Sequence, residues 1–275
     1  MRAAALPALL LLGACTGTAI GPSYPGLAGA NRAGLGAQEV RQQVALDDPP
    51  WRSVGVVATA VGGRCTGAVV GPRTVLTAAH CLLDPRTAEP LDPRAVVFVL
   101  GLSPENEGLR ARVDSFMLGP GFAARPGPVP DPSAPPDADW ALLRLDPSAP
   151  PQPADRVLPL APGFVRPGVP VALGGYQADR PTTLVADVAC TTLGYGRDLA
   201  GRMMLRHSCS ATGGSSGGPL LLKQPDGSWI VAGVGSMAVR GQAGGWAVPA
   251  ATIRRSGGEP KDDAPAAVRA SALPR

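Results

Sequence analysis

The residues of this sequence that could do chemistry are few, and two of them stand in distinctive surroundings. The chain has 2 histidines, and His80 lies in the segment TAAHC at residues 77–81. Ser216 lies in GGSSGGP at residues 213–219, where flanking glycines favour a tight turn that leaves a hydroxyl and backbone N–H groups accessible. Imidazole titrates near neutral pH and suits His80 to general-base catalysis. Taken singly, the segment of Ser216 also fits a plain Gly/Ser loop between strands, and His80 also fits a buried structural histidine beside a disulfide.

A third candidate, Asp139, directly precedes the apolar segment 140–145. Its carboxylate would lie at the edge of a core, where it could orient a histidine ring and stabilise the imidazolium. Asp131 and Asp137 lie in a Pro-rich loop and are expected to be solvated. The alternative for Asp139 is an aspartate that merely ends a loop.

Together, three segments resemble the motifs of the chymotrypsin-like (trypsin-like) serine proteases, and most closely the bacterial secreted members. TAAHC at 77–81 is similar to the segment of the family's catalytic histidine, DWALLRL at 139–145 to that of its aspartate, and GSSGGP at 214–219 to that of its serine. Cys65, followed by Thr-Gly, resembles the disulfide partner of the cysteine after the histidine. The resemblance covers residues 46 to 255.

The resemblance implies a serine endopeptidase that hydrolyses peptide bonds through an acyl-enzyme. Ser216 would attack the carbonyl carbon, His80 would accept its proton, and Asp139 would orient His80. The backbone N–H groups of Gly214 and Ser216 would form the oxyanion hole. Ser236 resembles the residue that supports this triad and pairs with the substrate backbone.

The residue before the nucleophile departs from family members that are activated by cleavage. Those members carry an aspartate there, which pairs with a new N-terminal ammonium, whereas this chain has Ser215 and no Ile-Val-Gly-Gly start. We therefore hypothesise that the oxyanion loop forms without zymogen-type activation. A Cys190–Cys209 disulfide and local hydrogen bonds would hold it.

The resemblance also places a substrate pocket. Counting back from Ser216 puts Ser210 near its base, where no carboxylate is present to favour Arg or Lys. Gly235 stands where glutamate-specific members carry a histidine. Ala211, Thr212, Met237 and Ala238 favour a modest, mostly apolar pocket, so we expect small or medium apolar side chains before the scissile bond. His207 is expected on the surface, the alternative being that it reaches the pocket from the disulfide loop.

Short apolar segments between Gly and Pro turns predict an all-β sandwich or barrel. Gly (36) and Pro (32) are abundant, which favours turns over long helices. The resemblance narrows this class to two six-stranded antiparallel β-barrels with the active site between them and a short C-terminal helix. Strands are predicted at 53–61, 65–70, 74–77, 95–100, 140–145, 169–174, 183–190, 219–223, 229–235 and 245–249.

The N-terminus predicts an export signal over residues 1–19, with Arg2 before a short apolar stretch. LGAC at 12–15 resembles a lipoprotein cleavage site that would leave Cys15 lipidated. An ordinary signal-peptidase cut, for example after Ala19, is the alternative. Residues 20–45 are predicted as a flexible linker or propeptide, 46–255 as the peptidase domain and 256–275 as a disordered tail.

The chain has 5 cysteines, an odd number that needs an explanation in an exported protein. Assigning Cys15 to the signal or to a lipid leaves Cys65, Cys81, Cys190 and Cys209. Of the three pairings, we expect the local ones, Cys65–Cys81 and Cys190–Cys209, each contributing on the order of 3 kcal/mol to stability. Four free thiols are the alternative, which an oxidising compartment disfavours.

Charge and composition limit the partners. The net charge of +4 is small and scattered, and no run of Lys or Arg supports a nucleic-acid partner. We expect a secreted or periplasmic monomer, lipid-anchored to the cell envelope if Cys15 is modified, without metal or organic cofactor. One rival is a non-catalytic protease-like binding module, which need not retain all three triad residues. The other is a serine esterase, whose nucleophile normally precedes its histidine.

Overall fold

The first of two β-barrels follows a short N-terminal segment. The structure, a computed structural model, describes residues 33–126, 129–130, 134–197 and 203–258. Its first strands are β1 (Gln42–Gln43), β2 (Val54–Thr59), β3 (Arg64–Gly71), β4 (Thr74–Thr77), β5 (Val96–Leu100), β6 (Leu109–Leu118), β7 (Ala124–Arg125), β8 (Val129–Pro130) and β9 (Ala141–Leu145). Six of them close an antiparallel barrel in the order β2-β3-β4-β9-β6-β5, while β7 and β8 form a separate small hairpin.

The second barrel is built from the rest of the described chain. Its strands are β10 (Pro170–Tyr176), β11 (Leu184–Arg197), β12 (Met203–His207), β13 (Pro219–Lys223), β14 (Trp229–Ala238) and β15 (Gly245–Pro249). They pair in the order β11-β10-β13-β14-β15-β12, and β12 pairs back onto β11, which closes the ring. A short helix, α1 (Ala250–Arg255), follows. Two six-stranded barrels and a C-terminal helix confirm the predicted fold class.

The interiors of the barrels are filled mainly by Val, Leu and Ala, as the low aromatic content requires. Phe98 and Trp140 are among the largest fully buried side chains. Each predicted strand is present, and the bounds agree within a few residues except at β11, which was predicted over 183–190 and continues to Arg197. The sequence-based prediction missed β6 and β12, although both are needed to close a barrel.

Residues 33–45, predicted as part of a linker or propeptide, pack against the second barrel. The Gly34 N–H donates to the Val239 carbonyl oxygen at 2.7 Å, and β1 pairs with β11. Arg41 is only 5 % exposed, and Val44 is buried in the core. The folded unit therefore begins before the predicted boundary at residue 46, because a buried cation and an apolar side chain anchor this segment.

The predicted signal over residues 1–19, Cys15 and the tail from residue 259 onward lie outside the described residues. Within the described ranges, no helix combines the length and the apolar character needed to cross a bilayer. Two disulfides are present, Cys65–Cys81 and Cys190–Cys209, as predicted. Disulfides persist in oxidising compartments, so they point to a location outside the cytoplasm.

Candidate active site

A short 3-10 turn, Ala79–Leu82, carries His80 at the end of β4. The disulfide between Cys81 and Cys65 ties this turn to β3. The backbone N–H of His80 donates to Oδ1 of Asp139 at 3.0 Å, so the turn and the carboxylate are fixed to each other independently of the imidazole. The small side chains of Ala78 and Ala79 are fully buried, which allows the turn to pack closely against the barrel.

Asp139 links the two barrels through its carboxylate. It is fully buried just before β9, and its Oδ2 lies 2.8 Å from Nδ1 of His80. The hydroxyl of Ser236, on β14 of the second barrel, donates to the same Oδ2. A carboxylate accepting from Nδ1 favours the tautomer in which Nε2 is left as the proton acceptor. The arrangement can therefore prepare His80 to act as a base.

Burial and charge act in opposite directions on the pKa values of this pair. Burial alone would lower the pKa of His80, but the charge of Asp139 and its hydrogen bond outweigh burial and raise that pKa above the ordinary value. Burial would raise the pKa of Asp139, but the charge of His80 and the hydrogen bonds from His80 and Ser236 lower it. Asp139 thus stays ionised and stabilises a protonated imidazole.

Ser216 lies on the loop between β12 and β13, where backbone contacts hold it beside the His80 turn. Its carbonyl oxygen accepts the N–H of Thr66 at 2.9 Å and lies 3.9 Å from Sγ of Cys81, the residue after His80. The next residue, Gly217, donates its N–H to the Gly235 carbonyl oxygen at 2.7 Å. Gly235 directly precedes Ser236, which donates to Asp139. The serine loop is therefore hydrogen-bonded both to the first barrel, through Thr66, and to the strand of the second barrel that contacts Asp139.

The backbone N–H groups of Gly214 and Ser216 donate to no partner among the described residues, whereas the N–H of Ser215 between them donates to the Thr212 carbonyl oxygen at 3.0 Å. Gly214 adopts a φ of 91°, and a Cβ there would lie 2.5 Å from the Tyr176 carbonyl oxygen. Only glycine fits this position without displacing backbone. Two such N–H groups without protein acceptors, two residues apart on a glycine-dependent loop, are suited to bind a developing oxyanion.

A buried network from the N-terminal segment supports the same loop. Nη1 of Arg41 donates to Oε1 of Gln177 at 2.6 Å, and this oxygen also accepts the backbone N–H of Thr212 at 2.8 Å. The hydroxyl of Ser215 donates to the Thr212 carbonyl oxygen at 2.6 Å. Sequence reasoning missed Arg41 and Gln177, since neither stands in a recognisable motif. Their burial only becomes visible once β1 is placed on the second barrel.

Thr66 was also missed, although it directly follows Cys65, which was predicted to form a disulfide with Cys81. Its hydroxyl donates to the Gly214 carbonyl oxygen at 2.8 Å and accepts the N–H of Tyr176 at 3.0 Å. Its own N–H holds Ser216, as described above. A single threonine of the first barrel therefore holds the serine loop at two points.

A pocket opens beside Ser216. Met237 and Ala238 line it, together with Thr212 and Ser236. His207 also lines it and is only 4 % exposed, so the expectation of a surface histidine is wrong and its alternative holds. The reason is that β12, which the sequence did not reveal, carries His207 inward against β15.

Ser210 is not one of the residues lining this pocket. Its backbone N–H donates to Oδ2 of the buried Asp187 at 2.9 Å, and the residue lines a separate depression with Cys190 and Ser208.

Among the described residues, the one cluster of metal-ligating types near the site is Cys65, His80 and Cys81. Both cysteines are joined in a disulfide and offer no thiolate.

A family model described as a trypsin-like peptidase domain matches residues 65–230, more than half of the chain. The matched range contains His80, Asp139, Ser216 and both disulfides.

Proposed function

Since the chain belongs to the trypsin-like peptidase family, we propose that it is a serine endopeptidase with Ser216 as nucleophile and His80 as general base. The observation that carries this proposal is the hydrogen-bonded set of His80, Asp139 and Ser236, placed beside the loop of Ser216. His80 would take the hydroxyl proton as Ser216 attacks the carbonyl carbon of the scissile bond. It would then return that proton to the leaving amine, and water would hydrolyse the acyl-enzyme by the same route.

The remaining parts of the site take the roles that their positions favour. The N–H groups of Gly214 and Ser216 would bind the oxyanion. Because this negative charge develops only as the reaction proceeds, they would stabilise the transition state more than the bound substrate. Ser236, Met237 and Ala238 would contact the substrate along the pocket wall. Ser210 is left out of this substrate-binding set because it faces a different depression. A peptide or protein is the substrate.

A fluorophosphonate probe tests the proposal directly. We expect wild-type protein to be labelled and Ser216→Ala to remain unlabelled, while Ser215→Ala, next to it, still labels. The mass of the labelled peptide would locate the adduct. Correctly folded wild-type protein that does not label would favour a non-catalytic binding module instead.

We further propose that Arg41 replaces the N-terminal ammonium that other members use to assemble the oxyanion loop. The Arg41 side chain is only 1 % exposed. Its guanidinium donates to Oε1 of Gln177, and the same oxygen accepts the Thr212 N–H from the loop. Glu39 and Asp179 neutralise the cation, and the hydrogen bond from Arg41 holds the pKa of Glu39 at about 2. The cation is therefore built into the chain and needs no cleavage to appear.

Arg41→Met tests this assembly role. Loss of a charge-assisted hydrogen bond worth about 1.5–3 kcal/mol should slow labelling of Ser216 roughly 10- to 100-fold. Arg180→Met is the matched control, because the Arg180 side chain is 39 % exposed and, among the described residues, its one ion pair is with Glu39 at 3.4 Å. If labelling required cleavage within residues 33–45, the built-in cation would be ruled out.

The proposed location is the cell envelope or the exterior, supported by the two disulfides. Whether Cys15 carries a lipid is decided by mass spectrometry of the mature N-terminus. A diacylated Cys15 indicates an anchored protein, and an N-terminus after Ala19 indicates a released one.

A further inference from the structure

His207 closes the inner end of the pocket beside Ser216. It is the last residue of β12 and lies opposite Gly245 of β15 in the sheet register. Both residues line the pocket, as do Ser216 and Met237. Among the described residues of that lining, His207 is the single titratable side chain, and none of them is a carboxylate, lysine or arginine.

The imidazole of His207 is buried without a hydrogen-bond partner among the described residues. The residue is 4 % exposed, and its Nδ1 is shielded from solvent and unbonded. Burial lowers the pKa of His207 to about 4, and no charged group on the neighbouring strands contributes to this shift. A buried polar group without a partner costs free energy. Nδ1 is closed to solvent, but Nε2 lies on the side of Gly245, which lines the pocket, so Nε2 is the nitrogen that a substrate group can reach.

Gly245 leaves the imidazole open to the pocket. A Cβ at this position would lie 3.0 Å from both Cε1 and Nε2 of His207, and 2.5 Å from the Met237 carbonyl oxygen. Any larger residue would therefore displace the ring or the pocket wall. The register of β15 against β12 thus places a residue without a side chain where the imidazole needs room.

Two of the hydroxyls that line the pocket are already engaged. Ser215 donates to the Thr212 carbonyl oxygen, and Ser236 donates to Asp139. A basic substrate side chain would find no carboxylate among the described residues of the lining. A carboxylate needs only donors, and an imidazole supplies one when neutral and binds more strongly when protonated.

We propose that this pocket selects an acidic side chain, glutamate or aspartate, on the substrate residue before the scissile bond, with His207 as the residue that binds its carboxylate. The inference rests on the proposed function and names the substrate class of that site. It replaces the sequence-based expectation of an apolar side chain. The pair of His80 and Asp139 provides an internal precedent, because there a carboxylate outweighs the effect of burial on an imidazole.

Peptides that differ only in the residue before the scissile bond test this preference. With Glu, Gln, Leu and Arg at that position, we expect kcat/KM for Glu to exceed each of the others at least about 10-fold. His207→Phe should lose that preference and favour Leu, while Arg206→Gln, the exposed neighbour on β12, should keep it. Equal rates for Glu and Gln, or a preference for Leu or Arg in the wild type, would overturn the proposal. Labelling of Ser216 reports separately on whether the protein is a serine hydrolase at all.

A binding measurement covers the case in which His207→Phe does not fold. The chain has 2 histidines, so NMR of the inactive Ser216→Ala protein should show two imidazole Cε1–H signals. A product peptide ending in glutamate should raise the titration midpoint of the signal that starts low, by at least about one pH unit. The same peptide ending in glutamine should not. Equal shifts with both peptides, or no shift with either, would contradict the proposal.

Discussion

His80 and His207 are both largely buried, yet their surroundings differ in one charge. His80 lies 2.8 Å from the carboxylate of Asp139, whereas His207 has no charged group near enough to affect its pKa. The pKa of His80 is raised as a result, and that of His207 falls to about 4. Burial is the larger influence at both sites when each cause is taken alone, so the paired carboxylate decides the direction.

This difference separates two uses of the same side chain. An imidazole paired with a carboxylate is held in one tautomer and accepts a proton readily, as general-base catalysis requires. An unpaired, buried imidazole is neutral at physiological pH and has unused hydrogen-bonding capacity. The first is ready for chemistry without a ligand, while the second is complete only with one.

Asp139→Asn should give the largest effect, because it removes the charge that distinguishes the two sites. We expect kcat/KM to fall on the order of 10⁴-fold, since the amide favours the wrong tautomer of His80. The measurement is kcat/KM on a peptide substrate across pH. In the wild type, kcat/KM should rise with pH through a midpoint above 6.5, because only neutral His80 is a base and its pKa is raised.

His207→Gln is the matched change at the other histidine and should leave that midpoint where it is. A midpoint that moved with His207 rather than with Asp139 would contradict the assignment of His80 as the base.

The second prediction concerns stability at acid pH. Above pH 6.5, His207 is neutral in both the folded and the unfolded chain, and its burial costs nothing in protonation. As pH falls from about 6.5 to about 4, His207 becomes protonated in the unfolded chain but stays neutral in the folded protein, so the free energy of unfolding decreases. A shift of this size corresponds to about 3 kcal/mol of unfolding free energy. Urea denaturation of Ser216→Ala at both pH values measures the loss without self-digestion.

Adding His207→Phe to Ser216→Ala should remove that part of the pH dependence. Carboxylates that titrate in the same range are common to both proteins, so the comparison isolates His207. An unchanged slope in the double variant would show that the ring is solvated in the folded state.

The smallest effect is expected from Ser236→Ala, which removes one hydrogen bond to Asp139 and keeps its charge. Losing a hydrogen bond to a buried carboxylate costs about 1.5–3 kcal/mol, but water entering from the pocket offsets part of this, so kcat/KM should fall roughly 10-fold. Steady-state kinetics on one peptide measure it. A loss as large as that of Asp139→Asn would mean that Ser236 itself contacts the reacting atoms.

Much of the fold and of the site was predictable from short segments. The strands at 74–77, 219–223 and 245–249 match their predicted bounds, because each is an apolar run between turn residues. β6 and β12 were missed for different reasons. Apolar and charged residues alternate over the first six residues of β6, a strand pattern that was overlooked, whereas β12 is short and ends in a histidine.

The segment before residue 46 was missed because its interactions are with residues far along the chain. Arg41 contacts Gln177 and Asp179, more than 130 positions away. No local pattern announces such a partner, and a lone arginine in a Gly-rich stretch looks solvated.

The sequence by itself determined which side chains could do chemistry. His80 follows two alanines and precedes a cysteine, Asp139 precedes an apolar run, and Ser216 lies among glycines. These local patterns, in this order along the chain, were enough to select the three residues as candidates. Tertiary structure alone decided which imidazole has a charged neighbour. That outcome depends on strand register and barrel closure, which bring Asp139 to His80 and leave His207 opposite Gly245 without a charged partner among the described residues.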